Sequence, residues 1–368
     1  LVHLQRAGHK PIALVGGATG MVGDPSGKKS ERQLLDSSTI SHNLESQKKQ
    51  LEQFLDFDKG LNCAEVVNNY DWFKNISFLD FIRDVGKHIS VNYMMAKDSV
   101  KNRLEDGMSF TEFSYQLVQG YDFYHLWKEK NVKLQMGGSD QWGNIVTGTE
   151  LIRRKGNGKG FSLTAPLITK SDGSKFGKSE GGNVWLDAKK TSPYQFYQFW
   201  MNTSDEDAER YIKIFTLHDK AYIDNLIQEH RNAPHMRLLQ KDLSAYITKW
   251  VHGESGYNTA IAASNILFGK ATSESLRKLS EDDFFSIFEG VKKHQISEIQ
   301  GVNIVEICAE SGFLASKSEA KRALKENSVS VNSEKVTEDF NFSNTDLIND
   351  KYILLQRGKK NKFILIKK

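Results

Sequence analysis

YQLVQGYDFYHLWKEKNVKLQMGGSDQWGN, running from Tyr115 to Asn144, is the stretch on which the reading of this chain turns. Its first half has helical spacing. Tyr115, Gln119 and Asp122 stand at i, i+4 and i+7, so a phenol, an amide and a carboxylate stack on one face. Leu117, Val118 and Phe123 fall on other faces, free to pack. Three polar groups in a row make a poor core stripe and a good set of prongs for a small polar ligand. The second half reads as a short buried strand, Val132 to Met136, running into Gly137-Gly138-Ser139-Asp140-Gln141, a tight turn at a helix start. In open α/β sheets, ligands lie beyond the carboxyl ends of strands, at such turns. Taken singly, each half also fits a capped helix or an ordinary glycine turn; side by side they favour a pocket.

A chain of 368 residues has room for about two or three domains. Lys plus Arg number 50 against 46 Asp plus Glu, a formal charge of +4, which permits a nucleic-acid partner without requiring one. Two distant cysteines, Cys63 and Cys308, offer neither a disulfide framework nor zinc spacing, which points to a reducing, cytoplasmic setting. No apolar run reaches transmembrane length, so no membrane partner is expected. No metal cluster and no Ser/His/Asp or GxSxG arrangement stands out. The opening LVHLQRAGHKPIALVGG lacks Met and reads like the middle of a helix–strand unit, so a segment upstream of Leu1 is expected.

Leu1 to Gly8 reads as a helix end closed by glycine, and Pro11 to Val15 as a buried parallel strand. GGATGMVGDPSGKKSER follows, carrying Asp24, Lys28 and Arg32. It is neither a Walker loop, since Lys29 follows Gly27-Lys28, nor a GxGxxG fingerprint. A basic flexible loop after a strand and a plain solvated loop both fit it. Ser41 to Phe57 reads as a helix, and Glu65 to Asn69 as a strand ending in turn-forming asparagines. Phe78 to Met95 has helical apolar spacing suited to a core or a subunit contact, and Pro166 to Thr169 reads as a strand. The glycine- and serine-rich SDGSKFGKSEGG, residues 171–182, reads as a mobile arm whose Lys175 and Lys178 close over a polyphosphate, or as an ordinary solvated loop. Helical patterns run from Ser192-Pro193 to about Lys293, with a polar connector at Gln295 to Gln300. A small α+β module ends the chain. It holds a helix Ile304 to Glu310, a second helix Ser318 to Asn327 flanked by Lys317 and carrying Lys321, Arg322 and Lys325, a strand Val329 to Val331, and RGKKNKFILIKK. Clustered cations on so small a module suit RNA shape and phosphate recognition, though a plain capping module fits too.

GGATGMVGDPSGKKSER, YQLVQGYD, QMGGSDQWGN and KFGKS, in this order and spacing, resemble the bacterial tyrosyl-tRNA synthetases, a class I aminoacyl-tRNA synthetase family, and the likeness runs over essentially the whole chain. It implies an α/β fold in three parts. These are a Rossmann-like parallel-sheet catalytic domain over residues 1–190, an all-helical anticodon-side domain over 191–294, and a ribosomal-protein-type RNA-binding module over 301–368. It implies L-tyrosine, ATP with Mg2+ carried along, and tRNA(Tyr) as partners, and a homodimer with Phe78 to Met95 as candidate contact. By the same likeness Asp24, Tyr115 and Gln119 bind the substrate ammonium, and Asp122 accepts its phenol beside Asn69 and Gln135. Asp140 takes a ribose hydroxyl, Gly138 lets backbone approach the nucleotide, and Gln141 sits where carboxylate and α-phosphate meet. KFGKS looks like the family's KMSKS signature; Lys175, Lys178 and Ser179, with Lys28 and Arg32, resemble its ATP and pyrophosphate grip. The family's HIGH signature and a substrate-facing tyrosine precede GGATG and are not in this sequence. This polypeptide alone is therefore expected to activate tyrosine weakly in ATP–pyrophosphate exchange. The alternatives are a tryptophan synthetase of the same architecture, a non-catalytic RNA-binding protein on a synthetase fold, and a generic α/β nucleotide-binding protein. The Tyr–Gln–Asp helix face speaks against the first, and the intact KFGKS loop against the second.

Overall fold

The apolar runs IALV and EVVN form strands β1 (Ile12–Val15) and β2 (Glu65–Asn68), paired in parallel from Ile12 opposite Glu65 to Val15 opposite Asn68. Parallel neighbours need a crossover, and the helix Ser37–Phe54 supplies it. Its amino end is capped by Asp36, which accepts from the Thr39 N–H. A second parallel pair, β3 (Leu134–Gly138) and β4 (Phe161–Ala165), is bridged by the helix Trp142–Gly156. The computed structural model describes residues 1–26, 36–58, 60–101, 107–179, 182–268, 272–288, 291–358 and 361–368. Lys28 and Arg32, and the side chains of Lys178 and Ser179, lie outside the described residues. Two compact units emerge, Leu1–Thr169 and Lys170–Lys368.

In the first unit the first half of that stretch, from Tyr115 on, lies within one long helix, Phe110–Lys130. Ser109 caps its start, and Asn131 ends it in the left-handed region at φ 55°. That left-handed turn uses up residues expected to begin the next strand, so β3 starts at Leu134 rather than Val132. Nor is β3 buried: Leu134 and Met136 are exposed. The strand expected at Pro166 to Thr169 lies instead at Phe161–Ala165. Pro166 has no N–H to continue a ladder, and the strand stops before it.

Leu117, Phe123 and Tyr124 of the long helix pack with Leu151 and Ile152 of Trp142–Gly156. Glycines let these two helices meet closely. A Cβ on Gly148 would lie 2.7 Å from the Phe123 Cβ and 3.1 Å from the Gly120 carbonyl oxygen. Neither neighbour is the end of a flexible side chain. Gly148→Ala is therefore expected to cost about 2 kcal/mol of unfolding free energy in denaturant titration, because overpacking outweighs alanine's helix propensity of about 1 kcal/mol. An unchanged midpoint would mean the helices part freely.

The second unit opens with a short antiparallel pair, β5 (Lys178–Ser179) and β6 (Gly182–Asn183). Ser192 then starts the helix Pro193–Met201 with a capping box to Gln195. The helices Asp205–Phe215, Lys220–Asn232 and Leu238–Phe268 follow, the last broken at Gly253, φ 71°. A five-stranded sheet closes the chain. Its order is β7 (Lys292–Ile296), β11 (Asn361–Lys367), β10 (Tyr352–Arg357), β8 (Val329–Val331), β9 (Glu334–Lys335). β7 is a correction, because the sequence reading placed it across a helix end and a polar connector. KKHQI has no alternation of its own; it is a strand because it pairs in parallel with the chain's last segment, Lys292 opposite Phe363.

Alternate residues of β10 feed two cores. Ile353 and Leu355 join Ile304, Ile307, Ala323 and Leu324 from the helices Ile304–Glu310 and Lys317–Lys325. Tyr352 and Leu354 join Phe284, Phe288, Ile266 and Tyr194 on the other face.

Candidate active site

Asp122 is buried without exposure, and each of its carboxylate oxygens takes a hydrogen bond. Asn69 Nδ2 donates to Oδ2 at 3.0 Å and Trp72 Nε1 to Oδ1 at 3.0 Å. Burial nonetheless pushes this carboxyl up from 3.8 to about 7, while the two hydrogen bonds pull the other way. A carboxylate accepts about four hydrogen bonds, so it keeps lone pairs for another donor.

The asparagines after β2 do more than turn the chain. Asn69 Oδ1 accepts from the Ala18 N–H at 2.7 Å, and its Nδ2 also donates to Thr19 Oγ1 at 3.0 Å. Asn68 Oδ1 accepts from the Gly17 N–H at 3.1 Å. Together they satisfy orphan amides at the start of the helix Gly17–Val22. A Cβ at 17 would sit 2.3 Å from Asn68 Oδ1, so a larger residue there would push Asn68 off the Gly17 N–H.

Gln119 and Gln135, both expected at the site, have buried Oε1 atoms with no hydrogen-bond partner among the described residues. Unpaired buried acceptors cost free energy and call for a donor. Tyr115, one helical turn from Gln119, is buried.

A second polar cluster follows the helix Gly17–Val22. Gln141 Nε2 donates to Asp24 Oδ2 at 2.8 Å and to Asp140 Oδ2 at 3.2 Å. Asp24 Oδ1 also accepts from the Ser26 N–H at 2.9 Å. Asn144 Nδ2 reaches Ser26 Oγ and Gln141 Oε1, each at 3.4 Å. A Cβ at Gly138 would meet Asp140 Oδ1 at 2.6 Å, so a side chain there would displace that carboxylate. The helix Gly17–Val22 ties the clusters together: Thr19 belongs to the first and Asp24 lies just beyond its end.

Sequence reading missed Trp72, Thr19 and Asn68. The signal available was an aromatic donor three residues past a strand-end asparagine in NNYDW. The Trp72 ring stacks on His125 at 4.5 Å, which fixes the indole N–H on Asp122.

In the second unit, Lys175 is exposed on the loop before β5. On the helix Lys317–Lys325, Lys321, Arg322 and Lys325 are exposed, while Ala320, Ala323 and Leu324 face the core. Lys317 pairs with Glu306 at 3.3 Å. Phe78, Leu79, Ile82, Val91 and Met95 are each exposed in the first unit. Among the described residues no group of three His, Cys, Asp or Glu side chains could hold a metal ion. Among them, no helix is long and apolar enough to cross a membrane.

The sequence profile of "tRNA synthetases class I (W and Y)" matches residues 1–269, and that of "Tyrosine--tRNA ligase SYY-like C-terminal domain" matches 283–366. The tyrosine–tRNA ligase of Flavobacterium psychrophilum is 60% identical over 375 residues, 99% of this chain and 87% of that protein. That of Bacteroides fragilis is 58% identical over 378 residues, 100% of this chain and 88% of that protein. Among solved structures, a C-terminally truncated mitochondrial tyrosyl-tRNA synthetase from Aspergillus nidulans superposes with a TM-score of 0.63 at 30% identity, over 70% of this chain and 77% of that one. An Archaeoglobus fulgidus tyrosyl-tRNA synthetase complexed with L-tyrosine shares the fold, at a TM-score of 0.51 and 20% identity, over 70% of this chain and 82% of that one. The chain belongs to the class I tRNA synthetases of the tryptophan and tyrosine group, and within them to the tyrosine–tRNA ligase family.

Proposed function

We propose that these clusters divide between them the work of a tyrosine–tRNA ligase, and that Asp122 is the residue that selects tyrosine. The reaction has two steps. Tyrosine's carboxylate attacks the α-phosphate of ATP, giving tyrosyl-adenylate and pyrophosphate; the tyrosyl group then moves to the terminal ribose of tRNA(Tyr). The nucleophile is already ionised, so positioning and charge stabilisation supply most of the catalysis.

Asp122 accepts the substrate phenol, held in place by Asn69 and Trp72. The single observation that carries this is the buried carboxylate with two fixed donors on it. Gln119 is an acceptor for the substrate ammonium, with Tyr115 and Asp24 beside it in role; its Oε1, without a partner among the described residues, supports this. Gln135, whose Oε1 likewise has no partner among the described residues, lines the phenol end with Asn69. Asp140 takes a ribose hydroxyl, Gly138 admits the nucleotide, and Gln141 lies beside the reacting carboxylate and α-phosphate. Lys175 and Lys178, with Lys28 and Arg32, neutralise charge on the leaving pyrophosphate, and Ser179 takes part in the ATP grip. Mg2+ arrives with ATP as part of the substrate.

The wider assignment is a Rossmann-like catalytic domain over 1–190, a helical anticodon-side domain over 191–294, and an RNA-binding module over 301–368. Lys321, Arg322 and Lys325, with Lys317, form the module's phosphate-binding face. The segment Phe78 to Met95, with its exposed apolar residues, is the proposed homodimer contact, and the cytoplasm the proposed setting.

The test is ATP–pyrophosphate exchange by the full-length gene product with tyrosine, phenylalanine and tryptophan in parallel. Exchange with tyrosine alone is expected. Comparable exchange with tryptophan would overturn the assignment of Asp122, since an indole carries its donor at a different position.

A further inference from the structure

The loop carrying KFGKS is tied down at two points, both within the second unit. Phe176 sits in a box of rings supplied by the helices Pro193–Met201 and Asp205–Phe215. Its centroid lies 5.7 Å from Phe199, 5.7 Å from Trp200, 5.1 Å from Tyr211 and 5.2 Å from Phe215. It stacks on Phe215 and meets Phe199 and Tyr211 edge-on, geometries that favour aromatic pairs. The second tie is Asp207, buried on the helix Asp205–Phe215. Its Oδ1 accepts from the Ser171 N–H at 2.9 Å and its Oδ2 from Ser171 Oγ at 3.3 Å. Arg210 donates to the same carboxylate at 3.0 Å.

Between these ties the chain folds on itself. Ser174 N–H donates to Asp172 Oδ1 at 2.8 Å, and Lys170 N–H to the Ser174 carbonyl at 2.9 Å. Gly177 takes φ +80°, and its carbonyl accepts from Val184 N–H at 2.9 Å. Lys175 stands exposed between the two anchors. Composition alone would leave such a loop with large conformational freedom, which costs about 1–2 kcal/mol per residue to restrict. A phenyl ring and a buried carboxylate offset that cost where the polar residues cannot.

We propose that Phe176 and Asp207 are positioning residues for adenylate formation: they hold the loop in one register on the helical part of its own unit, and so place Lys175 and Lys178. This rests on the reading that those lysines serve the leaving pyrophosphate. Neither Phe176 nor Asp207 touches substrate in this scheme. Their loss slows the chemical step and spares tyrosine binding.

The experiment is the pre-steady-state burst of tyrosyl-adenylate in the full-length gene product. Burst amplitude counts correctly folded sites and the rate constant reports the chemical step. Phe176→Ala is expected to keep full amplitude and tyrosine affinity while lowering the rate constant about 100-fold, the scale of a small misplacement of catalytic groups. Phe176→Met fills the box with a flexible apolar chain and recovers most of the rate. Asp207→Asn loses charge-assisted bonding and slows the step about tenfold. Trypsin cleavage after Lys175 quickens in Phe176→Ala. A wild-type rate constant for Phe176→Ala, or a defect confined to burst amplitude, overturns the proposal. Lys175→Ala is run alongside. If it too reacts at the wild-type rate, the assigned role of the loop lysines falls and the proposal with it; if it is slow while Phe176→Ala is not, only the proposal falls.

Discussion

Asp122→Asn is expected to leave the full-length enzyme folded, with tyrosine adenylation cut by at least 100-fold in kcat/KM and with little remaining preference for tyrosine over phenylalanine. Both oxygens of Asp122 already take a bond, from Asn69 Nδ2 and Trp72 Nε1. An amide offers one oxygen and two N–H donors, so one of those buried donors then faces another donor. The substrate phenol also loses an ionised acceptor. Leaving a buried partner of a charged group unsatisfied costs about 3 kcal/mol, which corresponds to roughly 100-fold. Trp72→Phe removes one donor and keeps the carboxylate, so it is expected to be milder. Wild-type discrimination in Asp122→Asn would place the selection elsewhere.

The same residue fixes a pH dependence. Its carboxyl lies at about 7 in the folded, tyrosine-free protein, against an ordinary 3.8. The native state therefore holds a proton that the unfolded chain has released between those values, and stability falls as pH rises through them. The full contribution is roughly 4 kcal/mol and levels off above 7. Asp122→Asn removes the effect, so the variant should gain stability relative to wild type between pH 5 and pH 8 in urea titrations. A phenol donating to Asp122 favours the ionised form, so tyrosine should bind more tightly as pH rises towards 7 and release a proton as it binds. Affinity that stays flat from pH 6 to 8 would contradict this.

Lys178→Ala is expected to slow adenylate formation by about 100- to 1,000-fold while tyrosine affinity stays within about twofold. An ammonium that meets charge only as it develops on the departing pyrophosphate stabilises the transition state and not the ground state. The backbone of Lys178 pairs with Asn183 in a short hairpin, and truncating the side chain leaves that pairing available. Stopped-flow adenylate formation beside equilibrium tyrosine binding separates the two effects. Unchanged turnover would rule out the role.

Local rules were enough for much of this protein. The row Tyr115, Gln119, Asp122 needs only a period of 3.6 residues, and all three lie on the single helix Phe110–Lys130. Ser192 and Pro193 announce a helix start, and Ile304–Glu310 and Val329–Val331 fall where the residues placed them. These signals sit within a few residues of what they specify. The tertiary structure alone decided the rest. Trp72 and Thr19 join the Asp122 network across some fifty residues of chain. KKHQI becomes a strand only beside the final segment, and Phe176 finds its rings on two later helices. Side-chain partners and strand neighbours so far apart in sequence exist only once the chain has closed its long loops, and no local pattern encodes which of them will meet.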